Sequence, residues 1–281
     1  MSESPLRILV VVAHPHDFTH CAATCGIHAA RGDSVTVVTV TSGARTHNER
    51  LHDELLKPEA ERDPAVLAQK PEEYARIKAE EVRKVCGLFG VTDVRILQWP
   101  QPFRLESSPG AVDELRQVFY DVRPHVLITQ KPYYDARHGM ANMARDDHGE
   151  TAVAVLEAKG LAAMPDHETR ERPHTVAATF YLGIYFTREE IDFYVDISEW
   201  RDKRVQAETL FESQGQFLEF ARKRVEIGAG EAGWYAQVAY AEGFVRAEAE
   251  TLGELRVPEL ALRRAEEPTR DRLRRKSGLP A

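Results

Sequence analysis

Two clusters of residues in this chain have the types and spacing to do chemistry. His14, His16 and Asp17 fall within four positions in the run AHPHD, and Asp146, Asp147 and His148 stand together far downstream. Two neutral imidazoles and one carboxylate drawn from such clusters make a mixed nitrogen and oxygen shell. That shell suits zinc or another first-row divalent metal and leaves positions open for water and substrate. Each residue alone is also what an ordinary cap or surface side chain looks like, because aspartate is a preferred helix N-cap. The recurrence at two strand ends is what points to a site.

The elements around the clusters give them that position. Residues 7–13 (RILVVVA) and 34–41 (SVTVVTVT) are short, β-branched apolar runs of the kind buried on both faces of a sheet. Between them, residues 21–31 lean helical. An amphipathic helix is expected over 71–89, a strand at 93–98, a helix at 110–122, a strand at 124–130 and a helix at 148–163. Strands alternating with helices of this length imply right-handed crossovers and parallel pairing. The fold class expected is α/β, a Rossmann-like mostly parallel sheet with helices on both faces, plus C-terminal strands and helices. Those later elements are strands at 175–186 and 191–197 and a long helix at 199–225. Residues 1–245 are expected to form a single α/β domain with its metal site at the C-terminal ends of the strands, and 246–281 a charged C-terminal tail or interface arm. The first cluster directly follows the first strand, and the second follows strand 124–130 through a polar loop. In open α/β sheets ligands bind beyond the carboxyl ends of the strands, so the two clusters can converge.

Composition narrows the function classes. Among 281 residues, 37 Lys+Arg against 45 Asp+Glu leave a formal charge of -8, which argues against a nucleic-acid partner. With 29% charged residues and no apolar run near spanning length, no membrane partner is expected either. Three cysteines, Cys21, Cys25 and Cys86, build no paired framework, and no export signal is visible, so a cytoplasmic, reduced setting is expected. Cys21 and Cys25 stand four apart near His20 and His28, but a helix packing small residues on the sheet explains them without a second metal. Tyr134 and His138, in the loop before the second cluster, and Arg45, after the second strand, are candidate substrate-binding residues. His47 and Asn48 follow Arg45 and could also reach the cleft.

AHPHD after an apolar strand, the turn VTVVTVTSG, AEEVRKVCGLFGV at 79–91, RPHVLIT at 123–129, VDISEWRDKRVQAETLFESQ and YAEGF at 240–244 resemble the PIG-L/LmbE-like deacetylase family, whose hallmark is AHPDDE. The resemblance implies a zinc-dependent hydrolase acting on a carbon–nitrogen bond. Its expected activity is N-deacetylation or related amide hydrolysis of an N-acylated small molecule such as an amino sugar conjugate, and its expected assembly a homo-oligomer. His14, Asp17 and His148 then take the ligand positions for Zn2+, with Fe2+ as the other metal to consider. His16 stands where the family has its catalytic aspartate and is assigned the base, while Phe18 replaces the glutamate of the hallmark. Arg145 replaces the first histidine of the family's HPDH motif and is assigned to oxyanion stabilisation. Asp147 is assigned to orienting an imidazole, and Phe211 replaces a histidine before the SQ pair. Two alternatives accompany this reading: a non-heme iron oxygenase using the same triad, and a deacetylase-like protein that only binds.

Overall fold

The computed structural model describes residues 4–45, 47–132 and 146–279. Its strands are β1 (Arg7–Val12), β2 (Ser34–Thr39), β3 (Asp93–Ile96), β4 (Val126–Thr129), β5 (Ala178–Leu182), β6 (Phe193–Asp196) and β7 (Ala241–Arg246). They form one sheet in the order β3-β2-β1-β4-β5-β7-β6. β1 pairs in parallel with β2 and β4, β2 with β3, and β4 with β5, whereas β7 runs antiparallel to both β5 and β6. The mostly parallel α/β sheet expected from the alternation is therefore present.

β1 shows why an unbroken apolar run belongs at the centre. Ile8, Val10 and Val12 point into one core, with α1 (Ala22–Ala30) and α4 (Pro71–Leu88) over them. α7 (Arg201–Thr209) and α8 (Leu218–Ala236) complete that layer. Leu9 and Val11 point into the other core, closed by α5 (Ala111–Val122) and α6 (Asp147–Ala162). Each of these fully buried aliphatic side chains contributes about 1.5–3 kcal/mol, so β1 is fixed on both faces.

Two expectations are corrected and one strand is added. The strand read over 175–186 is confined to β5, because the chain turns at Gly183–Tyr185, where Gly183 lies so close to the Gly243 carbonyl that an added Cβ would stand 2.5 Å from it. The single helix read over 199–225 is two. α7 ends at Thr209, a turn at Glu212–Gln214 follows, and Gly215 takes a left-handed φ of +66° before α8 begins. β7, not read as a strand at all, carries the YAEGF segment into the sheet.

Two shorter helices lie between β2 and α4, namely α2 (Glu49–Leu56) and α3 (Pro64–Leu67). Beyond β7, α9 (Glu259–Ala265) and α10 (Thr269–Lys276) pack at the end of α8, where Arg264 donates to the Ala236 carbonyl at 3.0 Å and the Lys276 ammonium lies 3.7 Å from the Trp234 ring centroid. Among the described residues no helix is long and apolar enough to cross a membrane. The three cysteines are free thiols and buried.

Candidate metal centre

The strand order runs outward from β1 in both directions, so the chain reverses between β1 and β4 and leaves a crevice beyond their carboxyl ends. The segment after β1 enters that crevice as a 3-10 turn, Pro15–Cys21, with Pro15 at its first position. His14 precedes the turn in extended conformation, and its backbone N–H donates to Asp17 Oδ2 at 2.9 Å. A three-residue spacing thus places the His14 and Asp17 side chains together. Gly43 lets the loop after β2 close over this turn, because its φ is +70° and an added Cβ would meet Pro15 Cδ at 3.2 Å. α6 starts beside the turn. Asp146 caps it by accepting from the Gly149 N–H at 2.8 Å, and His148 follows in the first turn.

His14, Asp17 and His148 offer ligand atoms that all lie within 4.8 Å of one another; Asp17 is fully buried, His14 nearly so, and the His148 side chain is 12% exposed. Asp17 Oδ2 lies 3.5 Å from His14 Nδ1, and Asp17 Oδ1 lies 3.5 Å from His148 Nε2. The far nitrogen of each imidazole faces a carboxylate: His14 Nε2 is 3.0 Å from Asp147 Oδ2, and His148 Nδ1 is 3.2 Å from Asp146 Oδ2. Carboxylates only accept, so a ring that donates from its far nitrogen to that carboxylate has the lone pair of its inward nitrogen left for a cation. Imidazole ligands of metals are held in this way.

Asp17 itself is clamped. Its Oδ2 accepts from the His14 N–H and from Gln130 Nε2 at 2.8 Å, while its Oδ1 is buried and receives no hydrogen bond. A buried carboxylate oxygen left between two inward imidazole nitrogens fits a divalent cation. Burial alone would raise the Asp17 carboxyl, but the neighbouring imidazoles of His148, His16 and His14 outweigh it and hold it well below the usual range. Burial likewise disfavours a charged His148, yet Asp17 and Asp146 push it up to about 10. The negative field that holds a proton here is the field that would hold a metal ion.

Gln130, at the end of β4, had no signal in the sequence. Besides Asp17 it donates to the Tyr185 hydroxyl at 3.0 Å and accepts from the Ala13 N–H at 3.0 Å. We expect Gln130→Leu to strand the Ala13 donor and loosen Asp17, costing about 1–3 kcal/mol of stability and weakening metal binding. A denaturation midpoint and a chelator competition measure the two effects. Unchanged values in both would reduce Gln130 to a space-filling residue.

His16 reaches the cleft as expected, with Nε2 3.3 Å from Asp17 Oδ1. Burial, together with the neighbouring His47, His14 and Arg224, sets its imidazole well below the ordinary histidine value despite Asp17. Phe211 stands edge-on to it with ring centroids 6.3 Å apart. Phe18 instead points into the core against Phe89, so this chain places no side chain in the cleft from that position of the hallmark. His47 joins the site edge-on to both His14 and His16, at centroid distances of 4.8 and 4.6 Å. Its Nδ1 is 3.4 Å from Glu49.

Asp147 does not cap α6. It reaches across to His14, accepts from the Phe103 N–H at 2.9 Å and meets Arg104 at 3.3 Å. The imidazole it holds is therefore that of His14, not of its neighbour His148. Asp147→Asn should weaken metal affinity and any metal-dependent activity by about 10- to 100-fold, read by metal titration; full affinity would leave Asp147 a packing role only. Arg45 is exposed at the mouth and donates from Nη1 to the Gln101 carbonyl at 2.9 Å. Arg145, Tyr134 and His138 lie outside the described residues. A cavity of about 670 Å³ beside α8, with Arg204 and Glu242 in its wall, shares no residue with the ligand set. Glu242 instead caps the start of α1, accepting from the Ala23 and Thr24 N–H groups at 3.1 and 2.8 Å, and so fastens the far end of the site turn.

Residues 9–159 match the family model described as PIG-L: GlcNAc-PI de-N-acetylase. A 1D-myo-inositol 2-acetamido-2-deoxy-alpha-D-glucopyranoside deacetylase of Streptomyces griseus is 31% identical over 205 residues, covering 66% of this chain and 58% of that protein. A deacetylase of the same description from Catenulispora acidiphila is 29% identical, covering 57% and 46%. The chain thus spans about half the length of the curated relatives it matches. Among solved structures, a 4-carboxy-2-hydroxymuconate hydratase of Pseudomonas putida superposes with a TM-score of 0.69 at 18% identity over 89% of this chain and 99% of that one. An N,N'-diacetylchitobiose deacetylase of Pyrococcus horikoshii superposes with 0.62 at 17% identity, over 86% and 84%. These likenesses show the fold.

Proposed function

The chain belongs to the PIG-L family, and we propose that it is a zinc-dependent hydrolase, an N-deacetylase or related amidase acting on an N-acylated small molecule such as an amino sugar conjugate. The observation that carries this reading is the buried, inward-facing set of His14, Asp17 and His148, each imidazole backed by its own carboxylate. The curated relatives are deacetylases of an acetamido sugar conjugate, which supports the same substrate class. With it go a homo-oligomeric, cytoplasmic enzyme, one domain over 1–245, and an arm over 246–281.

Zinc in this shell would supply an acidified water and electrophilic activation of an acyl carbonyl. The remaining work falls to side chains. Asp147 and Asp146 keep the two imidazoles in the tautomers that point their lone pairs inward. His16, neutral near pH 7, accepts a proton from the attacking water and returns it to the departing amine nitrogen. Arg145 is assigned to the developing oxyanion, and Tyr134, His138 and Arg45 to substrate contact.

The test is acetate release from a panel of N-acetylated amino sugars and their conjugates by the zinc-loaded protein. Release should stop on chelation and return with zinc. Hydration of an unsaturated hydroxycarboxylate with no amide cleavage, or oxygen consumption by an iron-loaded form, would overturn the reading.

A further inference from the structure

We propose that this site takes an anionic substrate, an N-acyl compound that carries a carboxylate or phosphate as well as the scissile amide, and that Arg45 receives that group. The substrate class rests on the hydrolase reading; the anion-binding role of Arg45 does not.

The loop after β2 meets the metal centre on both sides of Arg45. Gly43 packs against Pro15, and His47 lies edge-on to His14 and His16. Arg45 is held between these contacts by Gln101, which accepts from its backbone N–H at 3.0 Å and from Nη1 at 2.9 Å. Gln101 Nε2 in turn lies 3.5 Å from Asp147 Oδ2. The guanidinium is therefore tied to the scaffold that orients His14.

Charge around the centre is unevenly matched. Asp146 faces His148 and the start of α6, Asp147 faces His14 and Arg104, and Glu49 faces His47. Two other arginines have carboxylate partners, Arg104 with Asp147 at 3.3 Å and Arg224 with Glu208 at 3.5 Å. Arg45 has none among the described residues; both its bonds go to a neutral amide and a carbonyl. An exposed guanidinium fixed by neutral acceptors at the mouth of a cleft built for a dication favours an anion. Its planar fork suits carboxylate and phosphate oxygens.

Three matched probes test this in the zinc-loaded protein: N-acetylglucosamine, its 6-phosphate, and N-acetylmuramate, which separate neutral, phosphate and carboxylate forms. The anionic forms should exceed the neutral one in kcat/KM by about tenfold or more, an advantage that shrinks as salt is raised. Arg45→Gln should bring the ratio to about one, chiefly through KM, and Arg45→Lys should keep part of it. Calorimetric binding of glucosamine 6-phosphate against glucosamine gives the same comparison without turnover. Equal kcat/KM for neutral and anionic probes, or a preference that survives Arg45→Gln, would overturn the proposal while leaving amide hydrolysis standing. Anion binding that depends on Arg45 in a protein that cleaves none of the amides would support the subsite and sink the hydrolase reading.

Discussion

Asp17→Ala yields a protein without stoichiometric metal. Asp17 supplies the only carboxylate of the three facing ligand groups and is fully buried. Its loss leaves two imidazoles, and affinity should fall by well over the ~100-fold expected for losing a supporting contact. The same variant also removes the acceptor of the His14 N–H and of Gln130 Nε2. Each stranded buried donor costs about 1–3 kcal/mol, so a lower thermal midpoint is expected alongside the metal loss. Asp17→Asn separates the two effects, because an amide oxygen still accepts a hydrogen bond while the charge is gone. His14→Ala and His148→Ala should also lose metal, and because each takes an imidazole away from an enclosed carboxylate, Asp147 or Asp146, a lower thermal midpoint is expected there too. Metal content by elemental analysis after dialysis decides each case. A variant that keeps one ion per chain takes that residue out of the shell.

His16→Ala should keep its metal and lose about 10²- to 10⁴-fold in kcat. The side chain stands in the cleft with Nε2 3.3 Å from Asp17 Oδ1, and burial keeps it neutral near pH 7. A neutral imidazole in that place can take a proton at the pH where the family's aspartate would serve, provided the proton is shared only transiently. Phe211 against one side and His47 against the other restrict the ring. Metal loss in this variant would make His16 a fourth ligand. An unchanged kcat with metal retained would move the proton transfer elsewhere, and His47, with its ring 4.6 Å away and Glu49 behind it, is the residue to test next.

The centre of the fold is legible in the sequence alone. A run such as RILVVV has no polar face, so it can only sit where helices cover both sides of a sheet. Placing histidine and aspartate directly after it puts them at a strand's carboxyl end whatever the rest of the chain does. His14 and Asp17 then meet through three-residue spacing alone, and the convergence of His148 follows from parallel order. The less patterned elements were not legible. β7 alternates too weakly to announce a strand and is made one by its neighbours β5 and β6. Gly215 lies inside a helical pattern whose break is decided by its left-handed turn.

Finer assignments needed the tertiary structure. Which aspartate caps α6, which imidazole Asp147 holds, and that Phe18 leaves the cleft for the core all depend on side-chain directions that spacing does not set. Gln130 is the plainest case. Nothing in Thr129-Gln130-Lys131 marks a ligand-holding residue, yet β4 lies beside β1 in a register that sets Ile128 against Val10. That pairing brings the Gln130 amide to Ala13 and Asp17. Local sequence determines which atoms are available and which way a strand's end faces. Hydrogen bonds between segments distant in sequence are short and directional, and only the packed register of the two strands brings their donors and acceptors within reach.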